Sequence, residues 1–367
     1  MTPPTHSTLL KNFKAFGRTI LTGGSRRAWL LAVGAVLSMC VTHTAMGQDT
    51  WTGASSADWE TAGNWSSGVP TATTVAAFSS SSTNTTVTFG NNGGGGAKAA
   101  EIDFSYTGYN LSIGHNLTIS GPTAISVTGT GTVATFTGAG GTFALSGSGT
   151  QTISVASGDT LNLNVALTTS GTTPVLSFTG GGTTNITTAT TSTAGISVAG
   201  GALSLNSATS IFSSSNAVTL SGGTLQLGTN GTTQTLGALT LSSSSSISFG
   251  TSGTNSLTFT GTGAGLTGSS GLSPTNTLTI FNWSAGDTLN IGTTALNSSQ
   301  LADITFYSGS TTASPNLGTA AYVSGSNIAP GVPEPSTIFG AFFLFGLIAY
   351  KERRWFMRSR DAQVSVG

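Results

Sequence analysis

Charge is scarce in this chain. Only 6% of its 367 residues are Asp, Glu, Lys or Arg, and the net charge is zero. A soluble globular domain carries about 25%. Nucleic-acid binding needs a basic footprint, and there is none. A disordered tail solvated by its own charge needs net charge, which is also missing. Cysteine is limited to Cys40, so a disulfide scaffold is excluded. Of three histidines only His115 lies beyond residue 47, which leaves no His triad and no multi-His zinc site in the body. Long amphipathic helical patterns are absent from the middle of the chain, against an ordinary α/β enzyme. The glycine runs, such as Gly93–Gly96, follow no phosphate-loop pattern and precede no suitably placed Lys. No cofactor and no metal site is expected.

The few charges sit at the ends. Lys11, Lys14, Arg18, Arg26 and Arg27 precede residue 28, and Lys351, Arg353, Arg354, Arg358 and Arg360 follow residue 350. Residues 48–331 hold one base, Lys98, against eight acids, a net charge of −7. Basic ends around a weakly charged middle suggest two membrane-directed segments flanking an exported body. At the N-terminus the basic region stops at Arg27 and an apolar run follows, Ala28 to Val41. Ala45 and Gly47 then occupy the small-residue positions of a cleavage site before Gln48. This predicts a signal peptide over 1–47, cut between Gly47 and Gln48 by signal peptidase; the alternative is an uncleaved anchor. Ser25-Arg26-Arg27-Ala28-Trp29-Leu30 also resembles a twin-arginine export signal, so both export routes stay open.

The C-terminus reads Val332-Pro333-Glu334-Pro335-Ser336-Thr337, then the apolar run Ile338–Tyr350, then Lys351-Glu352-Arg353-Arg354. As a helix this run reaches roughly 20 Å, short of a hydrocarbon core of about 30 Å. Flanking residues extend the span, and the basic cluster Lys351, Arg353 and Arg354 faces the cytoplasm. A plain C-terminal anchor explains the helix and the charges. The ordered trio resembles the PEP-CTERM sorting signal of Gram-negative bacteria, in which a Pro-Glu-Pro motif precedes a short membrane helix and a basic cluster. That resemblance implies an exosortase partner acting at Pro333, Glu334 and Pro335, transit through the inner membrane, and a final place at the cell surface or in the extracellular matrix.

Between the ends one grammar repeats. Four to seven residues alternate apolar with Ser, Thr or Asn, and glycine interrupts, as in Thr160-Leu161-Asn162-Leu163 and Ala202-Leu203-Ser204-Leu205. Period-two alternation bounded by glycine predicts strands. A Gly-x-Thr/Ala-apolar-x-apolar pattern starts at Gly140, Gly158, Gly200 and Gly222, with a weaker copy at Gly181 where Thr184 replaces the first apolar residue. The spacing near twenty predicts an all-β fold whose body is a parallel β-helix, or β-solenoid, with Leu161, Leu163, Leu203, Leu205, Leu225 and Leu227 facing inward. A β-sandwich array is the alternative, because many glycine gaps also fit sandwich turns; a low-complexity linker would not alternate so regularly.

The predicted organisation is a signal peptide (1–47), a Trp-rich N-terminal cap (48–99), solenoid repeats (100–277), a C-terminal cap (278–325), a linker (326–331), the sorting signal (332–358) and a cytoplasmic tail (359–367). The opening, with Trp51, Trp59 and Trp65, resembles the start of autotransporter-like, Gly/Thr-rich β-strand proteins that often carry PEP-CTERM tails. Its tryptophans either stack on sugars or close the open end of the core. Two acid pairs, Asp58 with Glu60 and Glu101 with Asp103, each share one face if they lie on strands, with Lys98 near the second. A polysaccharide-cleaving β-helix enzyme would need such carboxylates across a scissile bond. They are few, so the chain reads as a structural or adhesive surface protein, not an enzyme, with extracellular polysaccharide as its expected partner and a carbohydrate-binding or polysaccharide-degrading β-helix as the alternative. Its Ser and Thr hydroxyls are also candidate acceptors of O-linked sugars.

Overall fold

The computed structural model of the protein describes residues 46–90, 96–170, 175–228, 231–251, 254–262, 276–292, 295–331 and 350. The body is an all-β, parallel β-solenoid of about ten turns. Its first face stacks Gly47–Thr50, Thr74–Phe78, Glu101–Phe104, Thr123–Val127, Thr150–Val155, Val175–Gly180, Gly195–Val198, Val218–Ser221, Thr233–Ser243, Ser256–Thr262 and Thr288–Asn290. The second face stacks Thr86–Thr88, Tyr109–Ile113, Val133–Gly138, Thr160–Asn164, Thr183–Ile186, Ala202–Leu205, Thr224–Leu227, Ser245–Ser248, Leu278–Phe281 and Ile304–Tyr307. A third face, Ala97–Ala99, Leu117–Ile119, Phe143–Leu145 and Leu167–Thr169, occurs among the described residues only in the N-terminal half.

The predicted period is the coil for four of the five glycine starts. Thr160 pairs with Thr183, Thr183 with Ala202 and Ala202 with Thr224, steps of 23, 19 and 22 residues. The start at Gly140 is different. Phe143 pairs with Leu117 and Leu167 on the third face, while the true neighbour of Thr160 is Val133, 27 residues back. Length decides the cross-section: the longer early coils hold three strands, and a 19-residue coil has room for two strands and their corners. The inward positions follow the alternation. Leu161, Leu163, Leu203, Leu205, Leu225 and Leu227 are each at most 1% exposed. Ser204 points away from the core yet is buried, because the longer Asn185 and Gln226 flank it in the adjoining coils.

Corners are set by backbone crowding. Gly201 has φ 58°, and a Cβ there would run into the carbonyl oxygen of Gly182 in the preceding coil. Only glycine meets both demands.

Both ends of the stack are closed. At the N-terminal end Trp51, Trp59 and Trp65 are buried and pack edge to face, with centroids 5.0 Å apart for Trp51–Trp65 and 4.7 Å for Trp59–Trp65. Buried rings offer no open face to a sugar, so these residues cap. Asn64 fastens their loop: its Oδ1 accepts from Ser55 N and Ser56 N, each at 2.8 Å, and its Nδ2 donates to Ser56 Oγ and Asp58 O. At the other end the parallel coils continue through Ile304–Tyr307, beyond the point expected for the cap. The strands Asn316–Ser324 and Asn327–Pro330 then run antiparallel, against Ile304–Tyr307 and Thr288–Asn290 respectively and against each other. Residues expected to form a linker at 326–331 are thus largely strand, because the closing hairpin needs a partner for Thr288–Asn290.

Two glutamines point into the core, and their surroundings differ. Gln234 Oε1 accepts from Ile211 N at 2.8 Å, and its Nε2 donates to Thr209 O at 2.8 Å, tying the 206–211 loop to the coil. Gln151 is fully buried, and neither atom of its amide has a partner. Gln234→Leu should cost about 1–3 kcal/mol, since it strands buried backbone groups. Gln151→Leu should instead stabilise by about 1–3 kcal/mol by removing an unpaired amide from the core. Chemical denaturation of the two variants reads both signs.

Candidate functional site

The residues of the predicted sorting signal, Pro333, Glu334 and Pro335, and the basic cluster Lys351, Arg353 and Arg354 lie outside the described residues, as do the apolar run Ala28–Val41 and all of Ile338–Tyr350 except Tyr350. No helix among the described residues is long and apolar enough to cross a membrane. Gly47 and Gln48 are described. They open the first strand, where Gly47 pairs with Thr74 and Gln48 with Val75. A cut between them would remove one residue from that strand and leave Gln48–Thr50 paired.

The acid pairs are not alike. Glu101 and Asp103 do lie on one strand, alternating with the inward Ile102 and Phe104, and share the outer side of the first face. Lys98 sits on the neighbouring third face. Asp58 forms an isolated parallel bridge with Thr88, and Glu60 lies in the turn that follows, so the two do not share a strand. Asp58 Oδ1 accepts from Glu60 N and, at 3.1 Å, from Gly90 N, so this carboxylate ties two loops together. Asp159 is buried and accepts from Thr132 N at 2.8 Å in the preceding coil. His115 is exposed in the bend between Tyr109–Ile113 and Leu117–Ile119. None of these residues lines the cavity described next, and no group of three His, Cys, Asp or Glu able to hold a metal occurs among the described residues.

A cavity of about 360 Å³ lies elsewhere, at the corner that leads from the second face back to the first. Three successive coils form it, through Gly250 and Asn255, Asn282 to Asp287, and Ser308. A side-chain ladder builds this corner. Thr232 N donates to Asn255 Oδ1 at 2.9 Å, and Asn255 N donates to Asp287 Oδ1 at 2.8 Å, so each coil satisfies a backbone donor of the one before. Asp287 Oδ2 accepts from Ser284 N at 2.7 Å and Ser284 Oγ at 2.9 Å. Trp283 stands edge to face with Phe249 and Phe306, at 5.0 and 4.9 Å. Trp283 and Asp287 fall in the segment expected to form the C-terminal cap, 278–325. Their partners are spread over sixty residues, and only the coil register brings them together.

Burial pushes the Asp103 carboxyl above the usual carboxylate range, and a hydrogen bond with Ser126 pulls it part of the way back. One of its oxygens, Oδ1, is buried without a partner. The folded chain therefore holds this proton to higher pH than the unfolded chain. Stability should fall as pH rises from about 3.8 through the folded value, and the penalty should persist above it. Asp103→Asn removes the titration. Its stability relative to the parent should grow across that window and then level off, as read by denaturation at a series of pH values.

The chain matches no protein-family model, no curated protein and no solved structure among those compared.

Proposed function

We propose that the protein is an exported structural or adhesive component of the cell surface or extracellular matrix of a Gram-negative bacterium, sorted through its tail by an exosortase. In this reading signal peptidase removes residues 1–47, Ile338–Tyr350 holds the chain in the inner membrane during transit, and Lys351, Arg353 and Arg354 keep the end cytoplasmic. Extracellular polysaccharide is the partner.

The observation that carries the reading is the pair of hydroxyl columns on the outside of the coils. On the first face Thr123, Thr152, Ser177, Ser197, Thr219 and Thr240 follow one another in register. On the second face Thr160, Thr183, Thr224, Ser246, Thr279 and Thr305 do the same, broken only at Ala202. Such columns stabilise the stack and offer hydroxyls to glycans over its length, with little charge to enforce selectivity. The cavity supports a binding function over a degrading one, since Asp287 is the single acid among its described lining residues and is engaged by three donors.

Two prolines fix φ and cannot donate, which suits an extended segment open to a processing enzyme. Replacing Pro333, Glu334 and Pro335 together with Ala should leave membrane insertion intact and block release, so that unprocessed protein accumulates in the inner membrane. Cell fractionation with mass spectrometry of the mature ends, in cells with and without the exosortase, reads this. Normal maturation of the triple variant would reduce the tail to a plain anchor.

A further inference from the structure

The corner cavity serves neither the sorting tail nor the stacking of coils, and we infer that it binds one sugar residue of a neutral glycan. The inference rests on the matrix reading above and names the ligand class. At about 360 Å³ the cavity falls in the range of small-molecule sites, about 300–1,000 Å³.

The wall is built from groups held in place and still able to bond. Asn282 is the one non-glycine residue among those described with positive φ, at 54°. Asparagine tolerates this conformation better than most residues. Its N–H donates to Gly309 O at 3.0 Å, and its Nδ2 donates to Ser248 Oγ at 2.9 Å. Its Oδ1 accepts from no donor among the described residues. Trp283 is held by Phe249 and Phe306, is 8% exposed and lines the cavity. Its Nε1 likewise has no acceptor among the described residues. Exposed hydroxyls of Ser308 and Thr251 complete the rim.

Charge then selects the ligand. Among the described lining residues there is no cation, so a phosphate or a uronate would meet nothing to neutralise it and would be repelled by Asp287. A cation fares no better, because the Asp287 carboxylate already accepts from Asn255 N, Ser284 N and Ser284 Oγ. What fits is a neutral molecule with several hydroxyls and a small apolar edge. An acceptor at Asn282, a donor at Trp283 and two-way hydroxyls at Ser308 and Thr251 match a pyranose ring.

The test is saturation-transfer NMR on the full chain in detergent, against neutral glucan, galactan and mannan oligosaccharides and against uronate oligomers. Saturation should reach a neutral oligosaccharide and no uronate. Asn282→Gly keeps the backbone conformation and removes the amide; Ser308→Ala changes an exposed side chain and leaves the fold alone. Each should weaken binding, Asn282→Gly by at least about tenfold. Failure of every neutral oligosaccharide to bind, preferential uronate binding, or binding unchanged in both variants would overturn the assignment. Co-sedimentation with purified matrix polysaccharide separates the two readings. Equal sedimentation of parent and Asn282→Gly removes the cavity's role while the matrix reading stands, and no sedimentation of the parent removes the matrix reading itself.

Discussion

In-register parallel pairing between successive coils is the constraint on which the rest of this structure depends. No single coil encloses enough apolar surface to be stable, so its strands must lie on those of its neighbours. Register then fixes what each position has to be. Inward columns are apolar but for a few residues such as Gln151, Thr184 and Gln234, as along Ile102, Ile125, Ile153 and Phe178 on the first face. Outward columns are Ser, Thr and Asn, which bond along the stack: Asn185 Nδ2 donates to Asn162 Oδ1 at 2.9 Å. A chain with one base and eight acids in its body can sustain this because the repeating polar contact is between neutral groups. Like charges stacked in a column would repel at every turn.

A parallel stack leaves backbone donors and acceptors open at each end, and open edges invite pairing with other chains. The two ends meet the problem differently. The N-terminal end buries three tryptophans and pins their loop with Asn64. The C-terminal end reverses direction, laying an antiparallel hairpin across the last strands of both faces. The same register that builds the core also assembles the corner cavity, by placing Asn255, Asn282 and Ser308 from three different coils around one space.

The strand pattern and the inward leucines were legible in the sequence because period-two alternation is a local signal. The coil period was legible wherever each coil had one glycine start on the second face, as from Gly158 to Gly222. It failed at Gly140, since Thr142-Phe143-Ala144-Leu145 has the same local form on the third face as its counterparts have on the second. Local form does not encode which face a strand joins. The linker expected at 326–331 failed for a related reason. Asn327–Pro330 looks like punctuation until Thr288–Asn290 supplies a partner. The cavity was illegible because Asn282 and Trp283 take their roles from residues more than twenty positions away.

The central claim is parallel register, and engineered disulfides test it most directly. Cys40 is the chain's only cysteine, so a Cys40→Ser background gives no competing thiol. Thr160 and Thr183 face each other in register on parallel strands. Strands about 4.8 Å apart fall within the span of about 4.4–6.8 Å that a disulfide bridges between Cα atoms. Antiparallel pairing of the same strands, as a sandwich would have, places Asn164 opposite Thr183 instead. In the parallel stack those two are offset by four residues along the strand, about 13 Å. The account predicts that Thr160→Cys with Thr183→Cys oxidises to an intramolecular disulfide in the folded protein, and that Asn164→Cys with Thr183→Cys stays reduced. The reverse result would contradict the solenoid.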